Sequence, residues 1–143
     1  MVYKMYDNVL GIRLDPGDSI KECIVEACTA AEVGFGSISG VGATRHIRFG
    51  AGDETKDSYK ITEIDEKMEI IHMNGNVSMK DGKVFPHIHV TLAGQGGTVV
   101  FGGHLEEATI FSTGEIFITN LGEEVKRTLQ SGSGNHPWYL LDI

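Results

Sequence analysis

Cysteine is scarce in this chain. There are two, Cys23 and Cys28, five positions apart. Both fall where the apolar periodicity is helical, so their side chains point in different directions and a disulfide between them is disfavoured. A reducing compartment is the simple reading, with both thiols as small buried core residues. Long hydrophobic runs are also lacking: no apolar stretch approaches the ~20 residues a membrane-spanning helix needs. The opening run from Met1 to Asp7 has no apolar leader core, and a cytoplasmic location is expected. Basic charge is short as well, with 12 Lys and Arg against 20 Asp and Glu, a net charge of −8. The longest basic run is Lys126-Arg127. Nonspecific nucleic-acid binding draws most of its affinity from cations meeting phosphates, so this composition speaks against it. Familiar catalytic motifs are missing too: no Gly-x-Ser-x-Gly, no Walker loop, no His-Glu-x-x-His.

What remains is an ordinary globular composition of 143 residues, read as a single domain over 1–143. Val9–Leu14 reads as a first strand, followed by Asp-Pro-Gly-Asp turn chemistry at 15–18. Ser19 with Glu22 matches a capping box, and Ile20, Cys23, Ile24, Ala27 and Ala31 recur at helical spacing. One amphipathic helix over about 20–33 follows, with Gly34 as its stop. From Gly36 onward the chain reads mostly as strands: 37–49, 59–64, 68–73, 77–79, 84–92, 98–101, 108–111 and 115–119. Asp81-Gly82 is the strongest hairpin signal, joining 77–79 to 84–92. Residues 123–130 are compatible with a short helix, 131–134 with a loop, and 138–141 with an apolar tail that packs back. The expected class is α+β: a central, mostly antiparallel sheet with one main helix and further short helical segments.

Six histidines stand out against this background. His87 and His89 alternate with Ile88 and Val90 on one predicted strand, so both imidazoles project from the same face. His104 follows fifteen residues after His89, across a Gly-rich turn and a returning strand. That return brings it back toward the level of the pair, and Gly102 and Gly103 free the backbone to aim it. Three neutral nitrogens without a thiolate match a three-ligand zinc site with a fourth position open. Imidazole also suits copper, nickel and iron. Glu69, Glu106 and Glu107, or a residue of another subunit, could complete the set. Ser39, Gly40 and Gly42 form a glycine-rich stretch that does not open a helix, so it is a poor phosphate cradle. It reads as tight strand packing or a bulge, or with Gly102 and Gly103 as the lining of a pocket near the metal. His46, His72 and His136 read as structural or surface residues, His72 sharing strand parity with Met68 and Ile70.

Met68–Ser78, with its Asn76-Val77-Ser78, then His87-Ile88-His89-Val90-Thr91-Leu92, then Gly102-Gly103-His104-Leu105 resemble the PPC domain (plant and prokaryote conserved domain) over roughly residues 7–128. Ile38–Ala43 after an amphipathic helix fits the same pattern. The resemblance implies an α+β fold assembled as a homotrimer, with His87, His89 and His104 at positions that hold zinc in prokaryotic members. A small-molecule ligand at that ion's open position is expected as a partner. Plant members carry an AT-hook and bind DNA; this chain has no Arg-Gly-Arg-Pro hook and no basic arm. The fold is similar to that of acetolactate decarboxylase, a zinc enzyme with a His-x-His pair. Its catalytic Arg and Glu do not map onto defined positions here; Arg48 and Glu69 are the nearest by type, and Glu69 is the candidate catalytic carboxylate.

Overall fold

Period-two alternation dominates the sequence after residue 36, and the described residues from there to Asn120 fold almost entirely into strands. The computed structural model describes residues 1–52, 59–129 and 137–139. Its elements run β1 (Val2–Tyr6), β2 (Val9–Leu14), α1 (Ile20–Ala30), β3 (Gly36–Gly52), β4 (Tyr59–Lys80), β5 (Lys83–Gly94), β6 (Val99–Asn120), β7 (Lys126–Arg127) and β8 (Trp138–Tyr139). They form one sheet in the order β1-β2-β6-β3-β4-β7-β8, with β5 bridging β4 and β6. Because β5 pairs with both, the pairings β3–β4, β4–β5, β5–β6 and β6–β3 close on themselves. The candidate site lies on this closed part.

The fold corrects the α+β expectation. Among the described residues there is one α-helix of 11 residues and a three-residue 3-10 turn, so the protein is mostly β. The expected strand fragments merge: 59–64, 68–73 and 77–79 are one 22-residue strand, and β6 likewise spans 22 residues. Bulges in the pairing let such long strands stay bonded while they bend. The short helix expected over 123–130 is absent through 129. Val125 is buried there, its carbonyl accepts the Met79 N–H at 2.8 Å, and Lys126 adds beside Met79 as a parallel bridge. Backbone pairing with β4 outcompetes a helix too short to be stable alone. Trp138 meets Phe35 edge-on at 5.2 Å. His136, the loop expected over 131–134 and Leu140-Leu141 lie outside the described residues.

The helix also departs from its expected ends. Ser19 has extended cap geometry but no side-chain cap bond; its carbonyl receives the Cys23 N–H at 3.0 Å. At the other end α1 stops at Ala30 rather than running to 33. Glu32 takes a left-handed φ of 53°, and Val33 N–H closes on the Cys28 carbonyl at 2.9 Å, two residues before the expected glycine stop. Ile20, Ile24, Ala27 and Cys28 face the sheet and are buried with Leu10, Ile38, Met73, Ile88 and Ile118. Cys28 is thus a core residue, and burial pushes its thiol up to about 12. Both cysteines are free thiols.

The other face of the sheet is open. Residues directly opposite in antiparallel strands share a face, and the registers therefore define one row: Lys4, Gly11, Phe117, Ser39, Asn74, His89, His104. Phe117 is 57% exposed on this row, and Val41 is 48% exposed beside it. The histidines stand at one end.

Candidate metal centre

The geometry of the cluster begins at a turn. Asp81 and Gly82 both have positive φ, 51° and 74°, the backbone signature of a two-residue type I′ hairpin. The turn fixes the β4–β5 register, setting Asn76 opposite His87 and Asn74 opposite His89. At the far end of β5 the chain reverses through Gln95–Gly97, where Gly96 and Gly97 have φ of 68° and 89°. β6 then returns with His104 directly opposite His89. Gly102 and Gly103 allow this approach: a Cβ on Gly102 would sit 2.8 Å from the Val90 carbonyl oxygen, and one on Gly103 2.5 Å from that of Gly50.

Three imidazoles meet as a result. Ring centres lie 5.3 Å apart for His87 and His89, 5.0 Å for His87 and His104, and 4.1 Å for His89 and His104. One nitrogen from each falls within 4.8 Å of the other two. His87 Nε2 and His104 Nδ1 are 3.1 Å apart, so one donates to the other when no ion is bound. Burial, then the neighbouring His104 and Arg127, lowers His87 to about 4. Burial and His89 also lower His104, with Glu106 acting in the opposite sense. Both rings are therefore neutral at neutral pH, the form that coordinates metals.

The other sequence-predicted residues are distributed as follows. Ser39 lies across from Asn74 on the row that carries His89. Gly40 packs against the Met73 side chain and Gly42 against the Thr113 carbonyl, with a bulge between them. Glu69 stands opposite Ala93, four positions along β5 from His89, and pairs with Lys67 at 3.5 Å. Arg48 reaches Glu107 at 3.5 Å and Glu63 at 3.7 Å, and His46 lies 3.7 Å from the same Glu63. Glu106 accepts the Tyr59 hydroxyl at 2.6 Å, and the Tyr59 ring lies 6.0 Å from that of His104. Burial first, then Glu106, raises the Tyr59 hydroxyl to about 12.

Sequence reasoning missed Asn74, Asn76 and Arg127. The asparagines were accessible: counting back from the Asp81-Gly82 turn pairs 76 with 87 and 74 with 89. Nothing local marks Arg127, which arrives from a segment with no apolar periodicity. Its Nε donates to the buried Ser78 Oγ at 2.7 Å and its guanidinium to Asn76 Oδ1 at 2.8 Å.

Residues 1–122 match the family model for the Plants and Prokaryotes Conserved (PCC) domain. The chain belongs to this family. Among solved structures, a metal-containing protein of Archaeoglobus fulgidus is 33% identical, with 97% of this chain and 99% of that one covered and a TM-score of 0.83. A plant- and prokaryote-conserved protein of Pyrococcus horikoshii is 29% identical, with 99% and 97% covered and a TM-score of 0.82. A Bacteroides thetaiotaomicron protein whose name proposes DNA binding is 24% identical over 96% of each chain, with a TM-score of 0.90, and shares the fold. No curated protein matches. Among the described residues, no helix is long and apolar enough to cross a membrane.

Proposed function

We propose that this PCC-domain protein binds a transition-metal ion, zinc, through His87, His89 and His104, and that it works as a homotrimer. The carrying observation is the convergence of three ring nitrogens within 4.8 Å. A tetrahedral zinc ion with bonds of about 2.0–2.1 Å holds its ligand atoms roughly 3.4 Å apart. The 3.1 Å between His87 Nε2 and His104 Nδ1 is already close to that spacing. His89 is exposed and can adjust by rotating a side chain. The donor set fits zinc: three neutral imidazoles and no thiolate, with a fourth position left for water or a small ligand. The metal-containing relative from Archaeoglobus supports the same reading.

The homotrimer is carried over from the family resemblance and supported by the open sheet face. Tyr6, Val41 and Phe117 are each about half exposed on it, and the face leads directly to the histidines. Patches of this kind mark surfaces that another chain covers. DNA association is a separate reading, and the net charge of −8 counts against it.

Metal analysis of protein purified without a histidine tag tests the centre. About one equivalent of a transition metal per chain is expected, and none after His87→Ala with His89→Ala. A folded protein with less than about a third of an equivalent, or a double variant that keeps its metal, would overturn the assignment.

A further inference from the structure

Tyr59 reaches its hydrogen-bond partner by crossing a strand. It lies on β4 opposite Gly52 of β3, yet its hydroxyl donates to Glu106 of β6 at 2.6 Å. Strand β3 runs between the two, paired with β4 on one side and with β6 on the other. The ring crosses where β3 carries no side chain, because Gly50 and Gly52 are two apart and share a face. A Cβ on Gly50 would run into the Tyr59 ring and hydroxyl, so the ring lies directly on that glycine. Gly50 is also the residue opposite His104, and the crossing brings the Tyr59 ring 6.0 Å from the His104 ring.

Glu106 is placed by a bulge. Arg48 pairs with Glu107 and Phe49 with Leu105, so β6 has one residue more than β3 at this point, Glu106. Leu105 and Ala108 are buried, and the two glutamates between them turn outward, to the face on which His104 stands. Glu106 is thus a carboxylate two residues from a ligand and on the ligands' own face. Yet among the described residues the group whose ligand atoms converge within 4.8 Å contains only the three histidines. The other glutamates that the sequence offers to the ion are engaged elsewhere, Glu107 by Arg48 and Glu69 by Lys67, each at 3.5 Å. A dication among three neutral imidazoles attracts a free carboxylate nearby, and an oxygen ligand would complete its tetrahedron. The group that opposes this for Glu106 is the phenol that donates to it.

We infer that Tyr59 is a positioning residue: it holds Glu106 out of the coordination sphere and so keeps the fourth position open for a ligand from solution. The inference rests on the metal-centre reading above. Gly50 is the seat without which the ring cannot cross β3. With the phenol bonded, the centre has three protein ligands and takes an external one; with the carboxylate released, it has four and is closed.

Cobalt(II)-loaded protein gives the test, since its visible bands shift when the fourth ligand changes. Imidazole in its neutral form is the probe for an open position. Tyr59→Phe keeps the ring and removes only the hydroxyl, so its bands should move to those of a carboxylate-bound ion with no ligand added. Its imidazole dissociation constant should rise about ten-fold, the order that one hydrogen bond to a charged group supplies, and cobalt should bind correspondingly tighter. A damaged site would weaken both affinities; opposite changes mark a new ligand. Gly50→Ala should reproduce both changes, because the added Cβ meets the movable end of the Tyr59 side chain rather than backbone. Adding Glu106→Gln to Tyr59→Phe should return both affinities to within about two-fold of the parent. Unchanged bands and affinities in Tyr59→Phe overturn the inference and leave the metal centre standing. Weakened imidazole binding that persists when Glu106→Gln is added also overturns it, by showing that Tyr59 only shapes the site. A shifted spectrum in Glu106→Gln alone overturns it too, because Glu106 would then already be a ligand. Absence of cobalt bands in the parent protein removes the metal centre and the inference together.

Discussion

The closed part of the sheet and the long β3–β4 ribbon beyond it carry the same residue type to different ends. On the ribbon, His46 lies 3.7 Å from Glu63. Where β4, β5 and β6 close, His87, His89 and His104 meet within one small volume. The difference lies in register. A hairpin turn of fixed type at one end of β5 and a glycine reversal at the other bring three strands to the same level with one parity. On the ribbon, β3 and β4 pair through two bulges, and no second histidine comes opposite the first.

If register makes the centre, breaking register should do more harm than removing any exposed side chain. Gly75 sits between the two asparagines that face His87 and His89, and a Cβ there would run into the His87 carbonyl and the Ile88 backbone. Neither obstacle is the end of a flexible side chain. Gly75→Ala should therefore cost about 3 kcal/mol or more, at the upper end of overpacking effects. It should also lower metal content, because β5 must shift. Gly52→Ala, where an added Cβ meets nothing within 4 Å, should change stability by less than about 0.5 kcal/mol. Urea unfolding of both variants checks this. Equal effects would mean that the β4–β5 register is not what the site depends on.

A smaller effect should appear with pH in the metal-free protein. His87 has its pKa lowered from 6.5 to about 4 in the fold, and His104 is lowered too. The unfolded chain therefore binds more protons than the native one through this window, so stability falls as pH drops. The loss should begin near pH 6.5, as the unfolded histidines start to protonate, and continue toward pH 4. Asp15 and Asp18, lowered from 3.8 by their bonds to the Met1 amine and to backbone, contribute stability that is lost only at still lower pH. Urea midpoints measured between pH 7 and 4 should thus slope in the parent and flatten in the His87→Ala, His89→Ala double variant. A flat parent profile would show that the cluster carries no desolvation penalty for charge.

The histidine cluster was more legible in the sequence than the class of fold. His-x-His on a strand, a glycine turn and a returning Gly-Gly-His encode a local hairpin, and local geometry follows from period-two alternation and turn residues alone. The mostly-β class was harder to see for the opposite reason. Whether 59–64 and 68–73 are two strands or one depends on the partner strand, because a bulge absorbs the irregularity that sequence periodicity reads as an interruption. The stretch after Gly122 looked helical until β4 supplied a pairing edge for Lys126. Arg127 was illegible for the same reason: its contacts with Ser78 and Asn76 are about 50 residues distant, at separations of 49 and 51.

His72 shows how fine the distinction is, and it yields the smallest expected effect. By parity with Met68 and Ile70 it should face the core. The pairing instead skips a residue between Ile70 and His72, so Met73 takes the buried position and both Ile71 and His72 are exposed. A bulge places two residues of one strand against one of its partner, and every side chain beyond it changes face. His72 aligns with Thr91, one pleat beyond the Asn74–His89 pair, yet it lies outside the group whose nitrogens converge. His72→Ala should leave metal content unchanged and shift stability by no more than about 0.5 kcal/mol, as expected for an exposed position. His46→Ala should do the same, since an ion pair this exposed contributes little. Loss of metal in His72→Ala would place a fourth ligand on β4 and extend the centre across the sheet; loss in His46→Ala would end the contrast between the two regions.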